Sequence, residues 1–504
     1  MRGTTKPNDL NKALQVESDG AARMFTDLTW GDPGYESMQE VSRSHSSEEA
    51  CESRQSEGLK NKRQTKKPSS AILTNKISGR EEIMNVLNKK GLDAILKPEN
   101  LNAAYLKVKA NKGAAGVDGI GVEELSSHIK RNWKAIETKL RSGTYEPGLL
   151  KVVPIPKPGG GERELNIPNT QDRLIQQAIG QVLNEVFEPL FSEHSYGYRT
   201  GKSAHDAVKS MKDYVSQSKR YIVDLDIHRF FDEVSHDILM HQISEQVSDK
   251  SVLKLIGKYL RCGKLVNNRK VRHQGKGIPQ GGPLSPLLAN IYLTALDRQL
   301  EQWQVSFVRY ADDITIYATS QQEATELLER TARWVERKLK LQVNWSKSGV
   351  RPPNQGNFLG YRVEKDGRLA LSEKTTTRFK SKVKELLDCK RRWSLQELIE
   401  KWQQYIRGWW NYCQLSEWFE AKDLSAWCRR HIRKLFWQRW HNWKGRRNAL
   451  KRLGAKAYHQ KIAHSGRGAW RISKSPPLQA VLNNKRLNQW GFITPDTLVR
   501  EAKS

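Results

Sequence analysis

The chain has 504 residues, which is enough for several domains, and carries 86 Lys and Arg against 55 Asp and Glu, a formal charge of +31. This excess favours a polyanionic partner, with nucleic acid ahead of an anionic membrane surface. No long uncharged apolar run is present, so no transmembrane helix is expected, and five scattered cysteines without a C-x-x-C pair argue against a disulfide framework or a zinc site.

Residues 1–80 are rich in Ser, Glu, Lys, Gly and Asn, a composition that predicts a largely disordered extension. The basic run at 60–67 is either a solvated tail or an arm that contacts phosphates. No apolar signal core is present, and together with the unpaired cysteines this favours a reducing compartment. Helical periodicity begins near residue 81.

A Pro- and Gly-rich stretch at 152–163 predicts a hairpin, because prolines fix the approach and glycines permit a tight return. Lys157 and Arg163 stand on either side of the turn, so we expect the two cations to lie close together. Such a pair can neutralise a triphosphate, whereas the alternative is an exposed basic turn.

Alternating residues at 221–227 predict a strand with Asp224 and Asp226 on one face, followed at once by Phe231. A carboxylate near the end of a buried strand needs compensation, although a half-buried strand with a polar face is the ordinary alternative. Further along, the Pro/Gly loop at 277–286 permits close approach of a backbone or ligand, and Gln280 is placed to point from it.

The segment 305–317 alternates on both sides of Asp312 and Asp313, which predicts a hairpin with two adjacent carboxylates at its bend. Adjacent aspartates repel unless a cation compensates, and hard oxygen ligands suit Mg²⁺. For an isolated pair, a solvated polar turn is the ordinary interpretation. A helix is expected at 322–341, and Lys347 lies in the turn that follows it.

From about residue 375 the composition becomes rich in Trp and Arg. Residues 395–413 and a second stretch near 424–436 both place apolar side chains at helical spacing. The other side of the second helix carries four cations, and some tryptophans flanked by arginine are candidates for stacking on bases. The segment 444–474 is strongly basic and suits a nucleic-acid surface with many loops.

With these segments in this order along the chain, the sequence resembles the group II intron-encoded reverse transcriptase/maturase family. The resemblance covers roughly residues 85 to 490. The motifs that carry it are IPKPGG with a following Arg, the NIP…DR segment at 166–173, SYGYRTGKSAHDAV at 195–208, DLDIHRFFD at 224–232, GIPQGGPLSPLLANIYL at 277–293, RYADD at 309–313, FLGY at 358–361 and YIRGWWNY at 405–412.

The resemblance implies an α+β fold, in which the fingers and palm of a right-hand polymerase, with an antiparallel palm sheet, precede a helical thumb or domain X. The implied division is a disordered extension at 1–80, fingers and palm at 81–372, thumb at 373–455 and a basic DNA-binding region at 456–504. The family's optional endonuclease needs His and paired Cys, which are missing here, so cleavage of the second target strand is not expected.

The resemblance also assigns the site. Asp226, Asp312 and Asp313 would be the catalytic, metal-binding acids, and the spacing to the second Phe selects Asp226 over Asp224. Residues of the nucleotide pocket would be Lys157, Arg163, Gln280 and Phe231, the last discriminating against a 2′-hydroxyl. Residues near the primer or template would be Lys347, Phe358, Leu359, Gly360 and Tyr361. Residues of an RNA-binding thumb would be Arg407, Trp409, Arg429, Arg430, Arg433 and Lys434.

The implied activity is DNA synthesis on an RNA template with two Mg²⁺ ions, combined with binding of the host intron RNA to help it splice. Expected partners are intron RNA, target DNA and deoxynucleotides; no membrane partner is expected, and a homodimer is left open. The expected location is the bacterial cytoplasm, next to the nucleoid when bound to DNA. Two alternatives remain, a splicing factor without polymerase activity and an intron-free relative used in DNA repair or phage defence.

Overall fold

The computed structural model describes residues 91–156, 161–266, 269–271, 275–416 and 418–502. The extension predicted to be disordered, the basic run at 60–67 and Lys157 lie outside these residues. The chain divides into two compact units. Within the described residues, the first unit contains the chain up to Phe191 together with Phe231–Tyr292, and the second contains Ser192–Phe230 and everything from Leu293 onward.

The first unit combines helices with one mixed sheet. Its helices and strands are α1 (Pro98–Ala110), α2 (Leu125–Arg141), β1 (Leu150–Pro156), β2 (Glu162–Ile167), α3 (Thr170–Phe187), α5 (Phe230–Glu233, which begins at the last residue of the second unit), α6 (His236–Ser244), α7 (Lys250–Leu260), β4 (Lys264–Val266), β5 (Arg269–Val271) and the first part of α8 (Ser285–Gln302). A short 3-10 turn, Glu188–Leu190, follows α3.

The sheet of the first unit has the order β2-β1-β4-β5. Strands β1 and β2 form the predicted hairpin, in antiparallel register from Lys151 with Ile167 to Pro156 with Glu162. Strand β4 runs parallel to β1, whereas β5 is antiparallel to β4. Helix α3 is buried on most of its surface, which explains why its sequence is more apolar than that of a surface helix.

The second unit contains the other sheet and a helical C-terminal part. Its helices and strands are α4 (Ala204–Ser216), β3 (Tyr221–Leu225), the last part of α8, β6 (Ser306–Tyr310), β7 (Asp313–Ala318), α9 (Gln321–Trp334, continued by a π turn, Val335–Leu339), β8 (Gly349–Arg351), β9 (Tyr361–Val363), β10 (Leu369–Leu371), α10 (Glu373–Leu386), α11 (Leu395–Cys413), α12 (Trp418–Arg439), α13 (Trp443–Arg452), α14 (Ala457–Gln460), α15 (Ala469–Ile472), α16 (Pro476–Val481), α17 (Asn484–Gln489) and α18 (Pro495–Glu501).

The main sheet of this unit has the order β6-β7-β3-β8, and every neighbouring pair is antiparallel. Strand β7 lies at its centre and is almost entirely buried after Asp313. Apolar side chains of β3 and β7 are buried on both faces, so the alternation that predicted one polar face for β3 holds only around Asp224 and Asp226. The predicted strand, hairpin and α+β class are confirmed.

The helical part shares one core from α10 to α18. Helix α11 begins with a capping box, in which Ser394 accepts from the backbone of Glu397 and the Glu397 carboxylate accepts from the backbone of Ser394. Its Trp402 donates from Nε1 to the carbonyl of Ile493, 2.7 Å away. Residues of α16 to α18 therefore share a core with α11 and α12.

No helix among residues 91–156, 161–266, 269–271, 275–416 and 418–502 is both long enough and apolar enough to cross a membrane.

Candidate active site

Two adjacent carboxylates lie at the turn between β6 and β7. Tyr310 pairs with Asp313, so the loop itself consists of Ala311 and Asp312. Of these two residues only Ala311 has a positive φ, 57°, a pattern shared with type II′ hairpin turns. A non-glycine residue in this region is strained by about 1–2 kcal/mol, and such strain is concentrated at functional sites.

A neighbouring segment of the same unit packs directly on this turn. Arg309 donates its backbone N–H to the carbonyl of His194, and the backbone N–H of Tyr196 donates to the carbonyl of Arg309, both at 2.9 Å. A Cβ atom added to Gly197 would lie 2.4 Å from the backbone nitrogen of Ala311. Glycine is therefore required at 197, in the middle of the SYGYR motif, so that the backbone can approach the turn.

A buried ion pair holds the turn from the other side. The guanidinium of Arg309 donates to both carboxylate oxygens of Asp297 in α8, at 2.7 and 2.5 Å, and neither side chain is exposed to solvent. The third donor, Nη1, bonds the carbonyl oxygen of Ala311 at 2.9 Å. Sequence reasoning missed both residues. The Arg in RYADD was visible as a charge within an apolar strand, a signal that a buried partner exists.

Asp226 reaches the same end of the sheet from the adjacent strand. Leu225 of β3 pairs with Ile314 of β7, so Asp226 stands level with Asp313. The turn at 344–348 encloses it, because Asn344 donates to the Asp226 carbonyl at 2.8 Å and the Asp226 N–H donates to Ser348 Oγ at 2.9 Å. Lys347 Nζ lies 3.6 Å from the Asp226 carboxylate. The predicted acids therefore lie at the adjacent ends of two neighbouring strands of one sheet, β3 and β7.

The three carboxylates influence one another. Burial raises the pKa of Asp312, and the charge of Asp226 adds to this rise. The pKa of Asp313 is raised to about 6, chiefly because the group is removed from water and then because Asp312 and Asp226 repel its charge. Clustered carboxylates with raised pKa values are typical of sites that bind a cation or a proton.

Asp224 has a different environment from Asp226, although both lie on one face of β3. Arg351 of β8 forms an ion pair with it, with Nε 3.0 Å from Oδ2. Burial nevertheless raises the pKa of Asp224, against the opposing effects of Arg351 and a hydrogen bond with Thr315. Arg351 lies 3.0 Å from the Asp224 carboxylate, whereas Lys347 lies 3.6 Å from that of Asp226. Asp224 is therefore more closely compensated than Asp226 and is less suited to bind a cation, in line with what the resemblance implied.

The donor chemistry fits divalent metal, which reverse transcriptases generally use. Across residues 91–156, 161–266, 269–271, 275–416 and 418–502, no three His, Cys, Asp or Glu side chains come close enough together to hold an ion by themselves. Mg²⁺ is usually bound by one or two carboxylates together with substrate phosphates and water. Asp226 and Asp312, with Asp313 beside them, are the residues that would hold it.

The remaining pocket residues predicted from sequence lie in the first unit. Asn166 of β2 donates its backbone N–H to the carbonyl of Gln280 at 2.7 Å, which connects the strand of Arg163 to the Pro/Gly loop. The N–H of Ile278 donates to the carbonyl of Phe231 at 2.6 Å. The segments that carry Arg163 and Phe231 are therefore both hydrogen-bonded to the Pro/Gly loop that carries Gln280, and Arg163 is exposed.

The FLGY segment is tied to the thumb. Phe358 and Tyr361 are buried in the core of the second unit, which contradicts a direct contact of these two side chains with a primer; that the segment lies near the primer end stays a prediction. The Tyr412 hydroxyl donates to the carbonyl of Leu359 at 2.7 Å, and the Tyr361 hydroxyl donates to the carbonyl of Tyr412. This bonding gives the RGWWNY motif a structural role in anchoring α11 to the segment that leads into β9.

Two of the predicted RNA-binding arginines are internal. Arg429 forms a bidentate pair with Asp496, with both distances 2.9 Å. Arg433 donates to the carbonyl of Leu482 at 2.9 Å, and burial lowers its pKa to about 10. The prediction that these two residues contact RNA is not supported, because α16 to α18 cover the face of α12 that the sequence pattern left open.

Other thumb residues remain candidates for RNA contacts. Arg407 is exposed, with Nη1 3.7 Å from Glu501. Trp409 is half-buried against Phe379, with ring centroids 4.1 Å apart. Arg430 lies over the ring of Trp470, 3.4 Å from its centroid, and Lys434 is half-buried.

Comparison with known proteins connects this geometry to a family. The reverse transcriptase (RNA-dependent DNA polymerase) family matches residues 155–363, and the maturase-specific domain of group II introns matches residues 376–454. Protein YkfC of Escherichia coli K12 is 30% identical over 313 residues, which is 54% of this chain and 82% of YkfC. The chain belongs to the group II intron reverse transcriptase/maturase family. The resemblance found in the sequence is thereby confirmed.

A second relative carries the family's description in its name. Group II intron-encoded protein LtrA of Lactococcus lactis subsp. cremoris is 34% identical over 244 residues, 48% of this chain but only 40% of LtrA. The chain therefore spans less than half the length of LtrA. Among solved structures, apo telomerase from Candida tropicalis is 13% identical with a TM-score of 0.37, covering 49% of this chain and 60% of that one. Nothing about this chain is inferred from a similarity at that level.

Proposed function

We propose that the chain is an RNA-directed DNA polymerase that uses two Mg²⁺ ions, and that it also binds the RNA of a group II intron, assists splicing and supports intron mobility by target-primed reverse transcription. The observation that carries the proposal is the placement of Asp226 level with Asp313, beside Asp312, at one end of an antiparallel sheet. The proposed location is the bacterial cytoplasm, next to the nucleoid when the protein is bound to DNA.

The protein's part in the reaction is to position the substrates and compensate their charge. Two Mg²⁺ ions would supply activation of the primer 3′-hydroxyl and neutralisation of the departing pyrophosphate. Asp226 and Asp312 would hold them, with Asp313 as the third acid. Arg163, with Lys157, would bind the triphosphate, and Gln280 would line the nucleotide pocket.

A rigid frame supports this role of the acids. The ion pair of Arg309 with Asp297 fixes the carbonyl of Ala311, and the turn at 344–348 fixes the backbone of Asp226 on both sides. Reacting groups gain most when they are held in place before the substrate arrives, because little reorganisation is then needed. The hydrogen bonds around both acidic segments are of this kind.

RNA binding belongs to the proposal through charge and exposed side chains. The formal charge of +31 favours a long polyanion. We assign the fingers and palm to residues 81–372, the thumb to 373–455, and target-DNA binding to 456–504. Arg407, Trp409, Arg430 and Lys434 are the proposed thumb contacts, and RNA helices are recognised mainly through backbone and shape.

A pair of matched variants tests the polymerase assignment. Asp224→Asn and Asp226→Asn each remove one charge, in β3 and directly after it, but Asp224 has the closer cation, with Arg351 at 3.0 Å against Lys347 at 3.6 Å from Asp226. We expect Asp226→Asn to abolish dNTP incorporation on an RNA template with a DNA primer, and Asp224→Asn to retain most of it. Equal loss in both variants, with both folded, would contradict the assignment of Asp226.

A second comparison separates polymerisation from RNA binding. Asp312→Ala should abolish synthesis while its Kd for intron RNA stays within about tenfold of the wild-type value, or about 1.4 kcal/mol. A wild-type protein that incorporates no nucleotide but still assists splicing would indicate a splicing factor. Flanking DNA without ribozyme domains would indicate a relative that acts without an intron.

A further inference from the structure

An exposed tryptophan projects from the turn that encloses Asp226. The side chain of Trp345 is 55% exposed, more than most large apolar residues of the described chain. The turn that bears it is closed by hydrogen bonds from the N–H groups of Lys347 and Ser348 to the carbonyl of Asn344, at 3.0 and 2.9 Å. Ser346 Oγ also donates to Asn344 Oδ1 at 2.7 Å. The indole of Trp345 therefore projects from a turn whose backbone is fixed by hydrogen bonds.

The turn that carries Trp345 is hydrogen-bonded to Asp226. Residues on both sides of Trp345 are bonded to Asp226, since Asn344 donates to its carbonyl at 2.8 Å and Ser348 Oγ accepts from its N–H at 2.9 Å. Lys347 is also exposed, with its Nζ 3.6 Å from the Asp226 carboxylate. One short turn therefore presents an aromatic face and an ammonium group beside a carboxylate assigned to catalysis.

An isolated exposed apolar side chain is common and needs no explanation. Trp345 differs because it has a neighbouring cation and a fixed position at the site. Aromatic faces bind nucleobases by stacking, and lysines bind the phosphates between them, so the two side chains together have the composition of a nucleic-acid contact. In the part of the chain that the structure describes, no other aromatic ring stacks on Trp345, and more than half of its surface is exposed.

We propose that Trp345 is a contact for the primer strand, packing against a base or sugar of its 3′-terminal nucleotides, with Lys347 bonding a phosphate of the same strand. The inference rests on the proposed polymerase function and adds a residue to its site. The primer is favoured over the template because its 3′-hydroxyl has to reach Asp226. A strand that ends at this carboxylate lies beside the turn whose backbone is bonded to it.

The test compares binding of a duplex with binding of its template alone. The probes are an RNA template annealed to a fluorescent DNA primer with a dideoxy 3′ end, and the same RNA as a single strand. We expect Trp345→Ala to raise the Kd for the duplex at least about tenfold, or about 1.4 kcal/mol, and to leave the Kd for the single strand unchanged. Trp345→Phe keeps a flat ring and should stay within about threefold of wild type.

A control variant and a cross-link make the comparison specific. Leu395→Ala removes another exposed apolar side chain, 42% exposed at the start of α11, and should change neither Kd. A primer with 5-iodouracil among its last nucleotides should form a photo-cross-link with the wild-type protein that is lost in Trp345→Ala. If Trp345→Ala fails to fold, Trp345→Thr provides the same measurement with a small polar side chain.

The outcomes are distinct. A wild-type Kd for the duplex in the folded variant would overturn the inference, as would an equal loss for duplex and single strand, which would make Trp345 a general RNA contact. Both results leave the polymerase proposal standing as long as the wild-type protein extends an unblocked primer. Failure of the wild-type protein to extend that primer would refute the proposed function itself.

Discussion

The ion pair between Arg309 and Asp297 allows the stability of the catalytic turn to be separated from its positioning. Asp297→Asn keeps the shape of the side chain but removes its charge, which leaves the guanidinium buried with only partial compensation. Replacing both partners with apolar residues of similar volume, as in Asp297→Leu with Arg309→Met, removes the charges together. The double variant also removes the donor to the Ala311 carbonyl.

The magnitude follows from complete burial. Both side chains have no solvent exposure, and the two charged contacts are 2.7 and 2.5 Å long. Breaking such a pair on one side costs about 3–5 kcal/mol, whereas replacing both partners with apolar groups is often neutral. We therefore expect Asp297→Asn to lose about 3 kcal/mol or more, and the double variant to regain most of that loss. Because the double variant lacks the hydrogen bond to the Ala311 carbonyl, its kcat should fall by about 100-fold, a loss that a misplacement of about 1 Å can cause.

The assays are urea unfolding, hydrogen exchange of peptides that cover 294–318, and steady-state primer extension. The double variant should approach wild-type stability, show faster exchange only around the turn, and lose kcat with little change in the KM for dNTP. Arg309→Lys keeps the positive charge but loses the forked set of donors. This variant should therefore have only part of the wild-type kcat. A double variant with wild-type kcat would refute the positioning role, and a loss below about 1 kcal/mol in Asp297→Asn would refute the burial argument.

Three further predictions concern other parts of the chain. Phe231→Ala should admit ribonucleotides, measured by rNTP against dNTP incorporation; a variant that still uses only dNTPs would place sugar discrimination elsewhere. Burial raises the pKa of Asp172 from an ordinary 3.8 to about 6, so the unfolded chain ionises first and wild-type stability should fall by about 2 kcal/mol between pH 4 and 6; the urea midpoint of Asp172→Asn should lack this fall. Gly197→Ala would place a Cβ 2.4 Å from the Ala311 nitrogen and should lower kcat about 100-fold, whereas Gly408→Ala, with open space around it in α11, should raise stability by up to about 1 kcal/mol.

Most of the local structure could be predicted from the sequence. Alternation around Asp226 and around Asp312 predicted a strand and a hairpin, and helical spacing predicted α11 over its full length, 395–413. The resemblance, through its spacing to the second Phe, also implied Asp226 and not Asp224 as the metal-binding residue. Local patterns succeed here because strand and helix periodicity depend only on neighbouring residues.

The tertiary structure decided which polar groups are used internally. Arg429 and Arg433 looked like an exposed basic face because the sequence of α12 does not show that a segment some fifty residues later folds over it. Phe358 and Tyr361 lie in the core for the same reason, and the orientation of Arg309 in β6 toward the turn depends on Asp297, twelve residues earlier in helix α8. Burial and charge compensation arise from contacts between distant segments. The sequence therefore predicted which kinds of side chain a site would use, but not which of those side chains are free to contact a ligand.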